Sequence, residues 1–406
     1  MQLIIHRGSH QIGGMSTEIR TASTRIIIDM GDELSLEDDF KSAPLDIPGV
    51  TDNNGKCDAI LLTHYHGDHT KQLNRARSTI PIYAGALTKE IMLISEQGQL
   101  RRAKKYGTEE EQKETKERIA RVKTIKPFKQ GIIFSIGDIK ITPFTIDHSA
   151  IDAYMFLIEA DGKRLLFTGD FRTSGFRGKG LHKILKNYIH HCDILMTEGT
   201  ALTRQDTPPS EMDLQRILKN DYIPKYKYIY ILASSTNMDR IFSASNAVPR
   251  GKYFICDKLQ FLLIKKVKDY CGRYSKFYKD AKVTSYKEDF VSRYIKRGFV
   301  MIVRNKKWFE DVIHIFPRTK SIILYSMWDG YRTKKNSTIP EFLNLAGKWE
   351  YWHTSGHATI EDIKMVVEKL QPKVIIPMHT DAPEKLREIL PDKKVIVLQD
   401  KKVYTV

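Results

Sequence analysis

The sequence lacks the cysteine pattern of a disulfide-stabilised protein and any long hydrophobic run. Its four cysteines, Cys57, Cys192, Cys256 and Cys271, form no C-x-x-C pair and show no disulfide spacing. No apolar run approaches the roughly 20 residues of a membrane-spanning helix, and the apolar start of the chain is too short for a signal peptide. We therefore predict a cytoplasmic location and no membrane partner.

Acidic residues are scarce relative to basic ones. The chain has 66 Lys and Arg against 49 Asp and Glu, a formal charge of +17. Residues 201–347 hold 28 basic and 14 acidic residues, so a surplus of 14 lies there. A basic surface indicates a polyanionic partner, and basic residues interleaved with aromatics are typical of single-stranded nucleic-acid binding. A solubility adaptation or a Lys-rich genome is the alternative. Most tyrosines here, such as Tyr228 and Tyr230, are expected in buried strands.

The order of predicted elements indicates one domain inserted into another. A chain of 406 residues has room for roughly two to three domains. Strand and helix patterns alternate within residues 201–347, which predicts a compact α/β domain there. Residues 1–200 and 348–406 would then form a second, discontinuous domain, with a final strand at 395–398 completing its sheet. The highly charged segment 101–123 predicts a solvated helix.

Three histidines and an aspartate occur within six residues, directly after an apolar strand at 59–62. The stretch 63–70 reads T-H-Y-H-G-D-H-T and contains His64, His66, Asp68 and His69. Two histidines one residue apart on a tight turn can converge on one metal ion, and the Asp-His pair can reach a second ion. Imidazole and carboxylate are ligands for borderline metals such as zinc, and a pair of ions suits phosphate-ester hydrolysis.

Further polar residues follow later apolar strands. His148 and Asp170 are the expected fifth and sixth metal ligands, and Glu198 ends another strand. Asp29 is predicted to have a structural hydrogen-bonding role. Seven histidines fit no motif and are interpreted as surface or structural residues: His6, His10, His182, His190, His191, His314 and His353.

Taken together, these motifs resemble those of the metallo-β-lactamase-fold nucleases of the β-CASP group, with ribonuclease J nearest. The resemblance covers nearly the whole chain. Glu198 in T-E-G-T resembles the first β-CASP motif, His357 in S-G-H-A the second, and His379 in P-M-H the third. The 22 residues between His357 and His379 match the usual spacing of the group. The implied fold is an α/β protein, an αββα sandwich of the metallo-β-lactamase type with an inserted α/β β-CASP domain.

The resemblance also implies a role for each residue. One zinc ion would be held by His64, His66, His148 and Asp170, and a second by Asp68, His69, His379 and the bridging Asp170. A metal-activated hydroxide would then be the nucleophile. The implied catalytic residues are Asp68, Glu198 and His357: His357 assists the leaving group, and Glu198 accepts a hydrogen bond from it. Substrate contacts are expected at Ser234, Ser235, Ser355 and His357.

The resemblance predicts a two-metal ribonuclease and leaves several alternatives open. RNA is the expected substrate, with 5′-exonucleolytic or endonucleolytic cleavage. DNA is the alternative, as in the cross-link repair group, and Mn²⁺ is the alternative to two Zn²⁺ ions. A non-catalytic nucleic-acid-binding subunit and an acyl hydrolase are further alternatives; the intact ligand set disfavours the first, and the basic insert the second.

Two departures from the family pattern bear on assembly and grouping. Ribonuclease J continues into a further domain linked to its dimerisation, whereas this chain ends soon after the final sheet. The oligomeric state is thus left open, with a homodimer as one expectation. No KH-type region precedes the metallo domain, which disfavours the archaeal cleavage-factor group.

Overall fold

The computed structural model describes residues 1–35, 40–204 and 207–406, which form three β-sheets with helices packed around them. The strands are β1 (Gln2–Arg7), β2 (Ser16–Arg20), β3 (Arg25–Ile28), β4 (Ala59–Leu61), β5 (Ile82–Ala84), β6 (Lys126–Pro127), β7 (Phe134–Ile136), β8 (Ile139–Ile146), β9 (Ala153–Ala160), β10 (Lys163–Phe167), β11 (Ile194–Glu198), β12 (Tyr228–Leu232), β13 (Tyr253–Cys256), β14 (Thr284–Ser285), β15 (Phe299–Val303), β16 (Ser321–Tyr325), β17 (Trp349–Tyr351), β18 (Val374–Met378) and β19 (Val403–Thr405).

The helices surround the sheets and connect their strands. They are α1 (Gly67–Thr70), α2 (Ala86–Tyr106), α3 (Glu109–Lys123), α4 (Lys179–Ile184), α5 (Glu211–Ile217), α6 (Met238–Ala247), α7 (Lys258–Cys271), α8 (Lys276–Lys279), α9 (Val291–Arg297), α10 (Lys307–His314), α11 (Asp329–Thr333), α12 (Ile339–Asn344), α13 (Ile360–Leu370) and α14 (Lys385–Ile389).

The first two sheets form a sandwich. The first has the strand order β19-β1-β2-β3-β4-β5-β6, and the second has the order β18-β11-β10-β9-β8-β7. Alternate residues of facing strands, such as Ile26 and Ile28 of β3 and Phe156 and Ile158 of β9, form one buried cluster between them. This period of two is expected of strands that bury one face against a partner sheet.

Helices cover the outer faces of the sandwich. Helices α2 and α3 lie beside the first sheet, and the second sheet buries residues of α4 and α13. The predicted αββα metallo-β-lactamase sandwich is therefore confirmed. The charged segment 101–123 is helical but is interrupted at Gly107, because Thr108 begins a new helix with a capping box to Glu111.

The third sheet has the order β14-β13-β15-β12-β16-β17; its first five strands lie within the predicted basic insert, and β17 follows at Trp349–Tyr351. Its strands pair in parallel, and the four central ones are apolar on both faces, as expected when helices cover both sides. Tyr228 and Tyr230 are buried in β12, as predicted. One hydrophobic cluster extends from the first sheet and α2 into the helices of this sheet, so the inserted α/β unit packs directly on the sandwich.

The prediction for the end of the chain was wrong in part. Residues 395–398 form no strand: Val395 makes only an isolated bridge to Ile375. The terminal strand is β19, which pairs antiparallel with β1 and so completes the first sheet. The apolar run 395–398 instead packs Val395 against the outer layer and Leu398 into the sandwich. The exact division into domains at residues 200 and 348 stays a prediction.

Within the described residues, no helix is both long and apolar enough to cross a membrane. The four cysteines are free thiols, and three of them are buried.

Candidate metal centre and active-site cleft

The histidine-rich turn connects β4 to α1 and is fixed by backbone hydrogen bonds. The amide of Met15 donates to Asp68 O at 2.9 Å, and the amide of Met30 donates to His69 O at 2.8 Å. Gly31 lies so close to this turn that a Cβ there would be 1.6 Å from Asp68 O. A residue without a side chain is therefore required at position 31, which explains the glycine at the end of β3.

The remaining predicted ligands follow strands of the second sheet. His148 follows β8, Asp170 follows β10 and His379 follows β18. Strands β10, β11 and β18 are parallel, and β8 runs in the same direction because it and β10 are both antiparallel to β9. Their carboxyl ends therefore lie at one edge of the sheet, facing the turn.

At this edge the seven predicted ligands come together as a metal-ligand cluster. His64, His66 and His148 offer ligand atoms within 4.8 Å of one another, as do Asp68, His69, Asp170 and His379. The two groups adjoin: Asp170 Oδ2 lies 3.2 Å from His69 Nε2 and 4.0 Å from His148 Nε2. The carboxylate of Asp170 is thus placed between two sites.

The hydrogen bonds around the cluster suit metal binding, because in three of its histidines they engage Nδ1 and leave Nε2 facing inward. His69 Nδ1 donates to Asp29 at 2.8 Å, His148 Nδ1 donates to Gly356 O at 2.6 Å, and His379 Nδ1 lies 2.8 Å from Thr200 Oγ1. Such partners orient ligating imidazoles. His64 Nε2 is buried, and none of the described residues makes a hydrogen bond to it. An orphaned imidazole nitrogen beside other ligating imidazoles is what a bound cation would satisfy.

Burial and mutual proximity perturb the pKa values of the cluster. Burial, reinforced by neighbouring imidazoles, lowers the pKa of His64 and His148 well below the usual range. Burial also lowers the pKa of His66 to about 4. For His69, the carboxylates of Asp170, Asp68 and Asp29 outweigh burial and raise the pKa. Most of these imidazoles are therefore neutral and able to coordinate a cation.

Asp29 occupies the hydrogen-bonding position predicted for it. Its carboxylate accepts bonds from the amide and hydroxyl of Thr63 at 2.8 and 2.7 Å, besides that of His69. The residue has a φ of +62°, in the left-handed region, which presents the side chain to the turn. Asp29 thus fixes both ends of the turn that holds the ligands.

His357 and the buried Glu198 form a pair beside the cluster. His357 Nδ1 donates to Glu198 Oε2 at 2.9 Å, and Glu198 Oε1 accepts from the amides of Phe171 and Ala358 at 2.7 and 3.3 Å. Burial alone would lower the pKa of His357, but the Glu198 carboxylate outweighs it and raises the pKa to about 9. His357 is 23% exposed, so its ring reaches the cleft as a cation.

Adjoining cavities form a cleft around these groups. A cavity of about 690 Å³ is lined by His66, Asp68, Asp170 and His357, and by Ser234 of the third-sheet unit. A neighbouring cavity of about 400 Å³ is also lined by His357, together with Ser355. Of the predicted substrate residues, Ser234 and Ser355 therefore border the cleft. Ser235 instead receives a hydrogen bond from Arg304.

Tyr65, between the first two histidines, connects this turn to other segments. Its hydroxyl donates to Thr236 O at 2.7 Å, next to the predicted serine-rich turn, and accepts from the amide of Ile151 at 3.0 Å. The turn is thus tied to both units that form the cleft.

Sequence reasoning missed a second buried polar group, the arginine cluster. It contains three arginines and three carboxylates: Asp147, Arg172, Arg177, Glu211, Asp239 and Arg240. Arg172 contacts Glu211 at 3.1 Å and Asp239 at 3.4 Å, and Arg240 contacts Glu211 at 3.0 Å. Asp147 has only longer contacts of 3.6 Å to arginines, and burial raises its pKa to about 6.

The arginine cluster positions the segment that carries His357. Arg172 donates to Ser355 O at 2.9 Å, and Arg240 donates to Thr354 O at 3.1 Å. Glu211 and Arg240 come from α5 and α6, whereas Arg172 follows β10, so the cluster joins the sandwich to the inserted unit. Thr200 was missed as well: its hydroxyl lies between His379 and His357, 3.2 Å from His357 Nδ1. Its place in the T-E-G-T run was the only available signal.

Comparison with known proteins agrees with this geometry. Residues 24–220 match the family described as "Beta-lactamase superfamily domain", and residues 346–388 match "Zn-dependent metallo-hydrolase RNA specificity domain". The second match contains His357 and His379. Together the two matches cover more than half of the chain.

Curated relatives extend these matches. Ribonuclease J of Helicobacter pylori is 22% identical over 97% of this chain and 59% of its own length. An RNase J-like protein of Methanocaldococcus jannaschii is 26% identical over 53% of this chain and 46% of its own. The DNA cross-link repair protein SNM1 of Arabidopsis thaliana is 27% identical over 45% of this chain and 33% of its own. The chain thus spans about half to three fifths of the length of the first two relatives.

A solved structure shares the fold throughout. The crystal structure of a protein of unknown function from Enterococcus faecalis V583 covers 100% of this chain and 99% of that one, with a TM-score of 0.78 and 18% identity.

The fold and the two matches show that the chain belongs to the metallo-β-lactamase superfamily, a family of metal-dependent hydrolases. Within that superfamily it has the β-CASP, ribonuclease J-like arrangement predicted from its motifs.

Proposed function

We propose that the chain is a metal-dependent nuclease that hydrolyses phosphodiester bonds of RNA within the cleft. The observation that carries this proposal is the arrangement of seven histidine and aspartate side chains in two adjoining groups, directly beside the His357–Glu198 pair. Two sites that share a carboxylate suit the two oxygens of an in-line displacement at phosphorus.

The metal-ligand cluster would hold two ions, one among His64, His66 and His148 and one among Asp68, His69 and His379, with Asp170 shared. Bound there, the ions supply Lewis-acid chemistry and lower the pKa of water. The imidazole and carboxylate donors fit Zn²⁺, and Mn²⁺ is the alternative. Asp29, Thr63 and Thr200 hold the donors in orientation through the hydrogen bonds described above.

His357 would supply the proton that the leaving oxygen needs. Its Nδ1 is engaged with Glu198, so Nε2 is the atom available to a substrate in the cleft. A pKa of about 9 keeps this imidazole protonated at neutral pH, as a general acid requires. Glu198 is a positioning residue, because it keeps the ring cationic and fixes its orientation.

RNA is the proposed substrate because the segment that carries His357 and His379 matches an RNA specificity domain. The surplus of basic residues in 201–347 supports a polyanionic substrate. DNA is a second candidate substrate, because the chain is 27% identical over 188 residues to a DNA cross-link repair protein. The cytoplasmic location and the oligomeric state stay predictions.

The test uses purified protein and end-labelled single strands, prepared as RNA and as DNA with 5′-monophosphate or 5′-triphosphate ends. Release of mononucleotides from monophosphorylated RNA is expected for a 5′-exonuclease, and internal cuts independent of the 5′ end for an endonuclease. Cleavage of DNA alone would replace the RNA proposal with the DNA one. No cleavage of either strand by metal-loaded protein would refute a nuclease and favour a binding subunit.

A further inference from the structure

Two exposed aromatic rings lie beside the cleft and have no role in the chemistry proposed above. Trp328 directly precedes α11, and Tyr331 lies within that helix, shortly after β16. Their side chains are 43% and 44% exposed. Their ring centroids are 5.4 Å apart, with the planes at 83°. Other rings of the chain are more exposed, such as Tyr274 at 80%, so what distinguishes this pair is its position beside the cleft.

Both rings line the cavity of about 400 Å³ that contains His357 and Ser355. Tyr331 also lines the larger cavity that contains Asp68 and Asp170. The rings therefore lie where the reaction site opens into the neighbouring cavity. A strand whose phosphodiester reached His357 would place a neighbouring nucleotide beside them.

The lining of this neighbouring cavity suits a base better than a phosphate. Besides the two rings, it includes the apolar side chains of Ile12 and Leu34, which belong to the sandwich. Apart from His357, which the proposed reaction uses, its charged residues are Arg204 and Asp381, and these are of opposite sign. A phosphate would need a concentration of positive charge, whereas the flat faces of a nucleobase stack on aromatic rings.

The backbone that carries the two rings is fixed by hydrogen bonds before any ligand binds. The hydroxyl of Tyr325 in β16 donates to Trp328 O at 2.8 Å, and Ser337 donates to Tyr331 O at 2.7 Å. The Trp328 ring lies over Gly330, where a Cβ would be 2.5 Å from a ring carbon. A pre-oriented ring loses little conformational entropy when a base stacks on it.

We propose that the platform of Trp328 and Tyr331 binds one nucleobase of the substrate strand, adjacent to the phosphodiester at His357: the base stacks on the Trp328 ring, and the Tyr331 ring, at 83° to it, borders the edge of that base. The inference rests on the proposed function, since it assigns a subsite to the same nucleic-acid substrate. The platform recognises a base by its flat face, so it accepts any of the bases.

The test measures binding in a His66→Ala background, so that the strand is not cleaved. Fluorescence anisotropy gives the affinity for a short single-stranded RNA. The intact strand is compared with a series of strands that each carry one abasic nucleotide at a different position. Trp328→Ala is expected to weaken binding of the intact strand about ten-fold, the size of one base–aromatic stack. An abasic nucleotide at one position of the strand should weaken binding by the same factor when the protein retains Trp328. For that abasic strand, Trp328→Ala should cause no further loss of affinity.

Matched variants separate stacking from a general loss of structure. Trp328→Phe should retain most of the affinity, and Tyr274→Ala, which removes a ring that is 80% exposed on the same unit, should retain all of it. The platform is refuted if, at every position of the abasic nucleotide along the strand, its fold-loss of affinity multiplies with that of Trp328→Ala. It is also refuted if Trp328→Ala binds the intact strand as tightly as the parent protein does.

The outcome is independent of that of the proposed function. If the chain with its native residues cleaves neither RNA nor DNA but shows the shared penalty, the nuclease proposal fails and the platform stands as a binding site. If it cleaves RNA while Trp328→Ala leaves affinity unchanged, only the platform fails.

Discussion

The two buried polar clusters meet at adjacent residues, Asp147 and His148, yet they are built in opposite ways. The arginine cluster pairs three guanidinium groups with three carboxylates, so its formal charge is zero and most of its members bond to one another. The metal-ligand cluster consists of imidazoles and carboxylates with a depressed pKa at His66 and an unsatisfied His64 Nε2. The charges of the first are balanced within it, although the carboxylate of Asp147 and the Nε atoms of Arg172 and Arg177 make no hydrogen bond among the described residues. The second offers its donors to a cation.

This difference separates structural from functional use of buried charge. Removing one member of a neutralised cluster leaves an opposite charge buried and unpaired, which is costly for folding. Removing a histidine from the metal-ligand cluster leaves no opposite charge unpaired in the metal-free protein. Such a substitution should therefore reduce activity and not the stability of the fold. Substitutions in the two clusters should therefore change different measured properties.

The largest expected effect comes from His66→Ala in the metal-ligand cluster. Loss of this ligand should reduce nuclease activity by more than about 100-fold, because losing even a hydrogen-bond partner of a ligand typically costs up to about that much. Treatment of the native chain with a chelator should reduce the activity to the same extent. Metal content, measured by mass spectrometry, should fall. The metal-free variant should unfold at the same denaturant concentration as the metal-free native chain or above it.

His314→Ala is the control for this substitution, because His314 is exposed at the end of α10. If His66→Ala instead destabilised the metal-free chain by several kcal/mol, the contrast between the clusters would be lost.

The second effect concerns His357, which borders the cleft and belongs to neither of the two proposed ion sites, although it also lies within ligand distance of Asp170, Glu198 and His379. His357→Ala should lower kcat by about 10²- to 10⁴-fold, the usual contribution of general acid–base catalysis. Metal content should be unchanged, since the structure gives each proposed ion other ligands. Loss of bound metal together with activity would show that His357 acts as a ligand and not as the acid.

In the arginine cluster, Glu211→Gln should destabilise the fold by about 3–5 kcal/mol at pH 7, because Arg172 and Arg240 lose their buried partner. Burial by itself raises the pKa of Glu211, but the two arginines outweigh it and lower the pKa from 4.5 to about 2. The ionised carboxylate thus contributes stability above pH 4.5, about 3 kcal/mol from this shift. This contribution is lost as the pH falls from 4.5 towards 2.

Urea unfolding of the variant and the native chain across this pH range gives the measurement: the difference between the two should shrink on acidification. Glu361→Gln serves as the comparison, because Glu361 is 79% exposed and pairs only with Lys364, a contact worth at most about 1 kcal/mol. A difference independent of pH would contradict the assignment.

The smallest effect is expected for Asp29→Asn, which supports the metal-ligand cluster from outside. Asparagine tolerates the φ of +62°, so the substitution removes charge without changing the backbone. Metal affinity should fall about 10- to 100-fold, as for other partners of ligating histidines, as measured by competition with a chromogenic chelator. Asp58→Asn, remote from the cleft, should leave the affinity unchanged.

The same contrast explains what the sequence could and could not predict. Four of the predicted ligands lie within six consecutive residues: His64, His66, Asp68 and His69. So many possible ligands in so short a segment can be recognised from the sequence alone. The members of the arginine cluster are separated by up to 93 positions along the chain, from Asp147 to Arg240. Each is an ordinary charged residue until tertiary packing brings it to a partner, so no local pattern marks it.

Hydroxyl groups and the final strand show the same limit. Thr63 and Thr200 act through hydrogen bonds that depend on strand register, which the sequence does not specify. The run 395–398 has the apolar pattern of a strand, but it makes one bridge to β18 and leaves the pairing with β1 to β19. The αββα sandwich was predicted because the metal motifs resemble those of the metallo-β-lactamase-fold nucleases, and that resemblance implies the fold.

Tyr65 has a mechanical consequence for the whole molecule. Its hydroxyl holds Thr236 of the inserted unit and Ile151 of the sandwich, while its backbone separates His64 from His66. A swing of the inserted unit away from the sandwich must either break the bond to Thr236 or pull on the turn. Opening of the cleft and the alignment of the two imidazoles are therefore coupled through a single side chain.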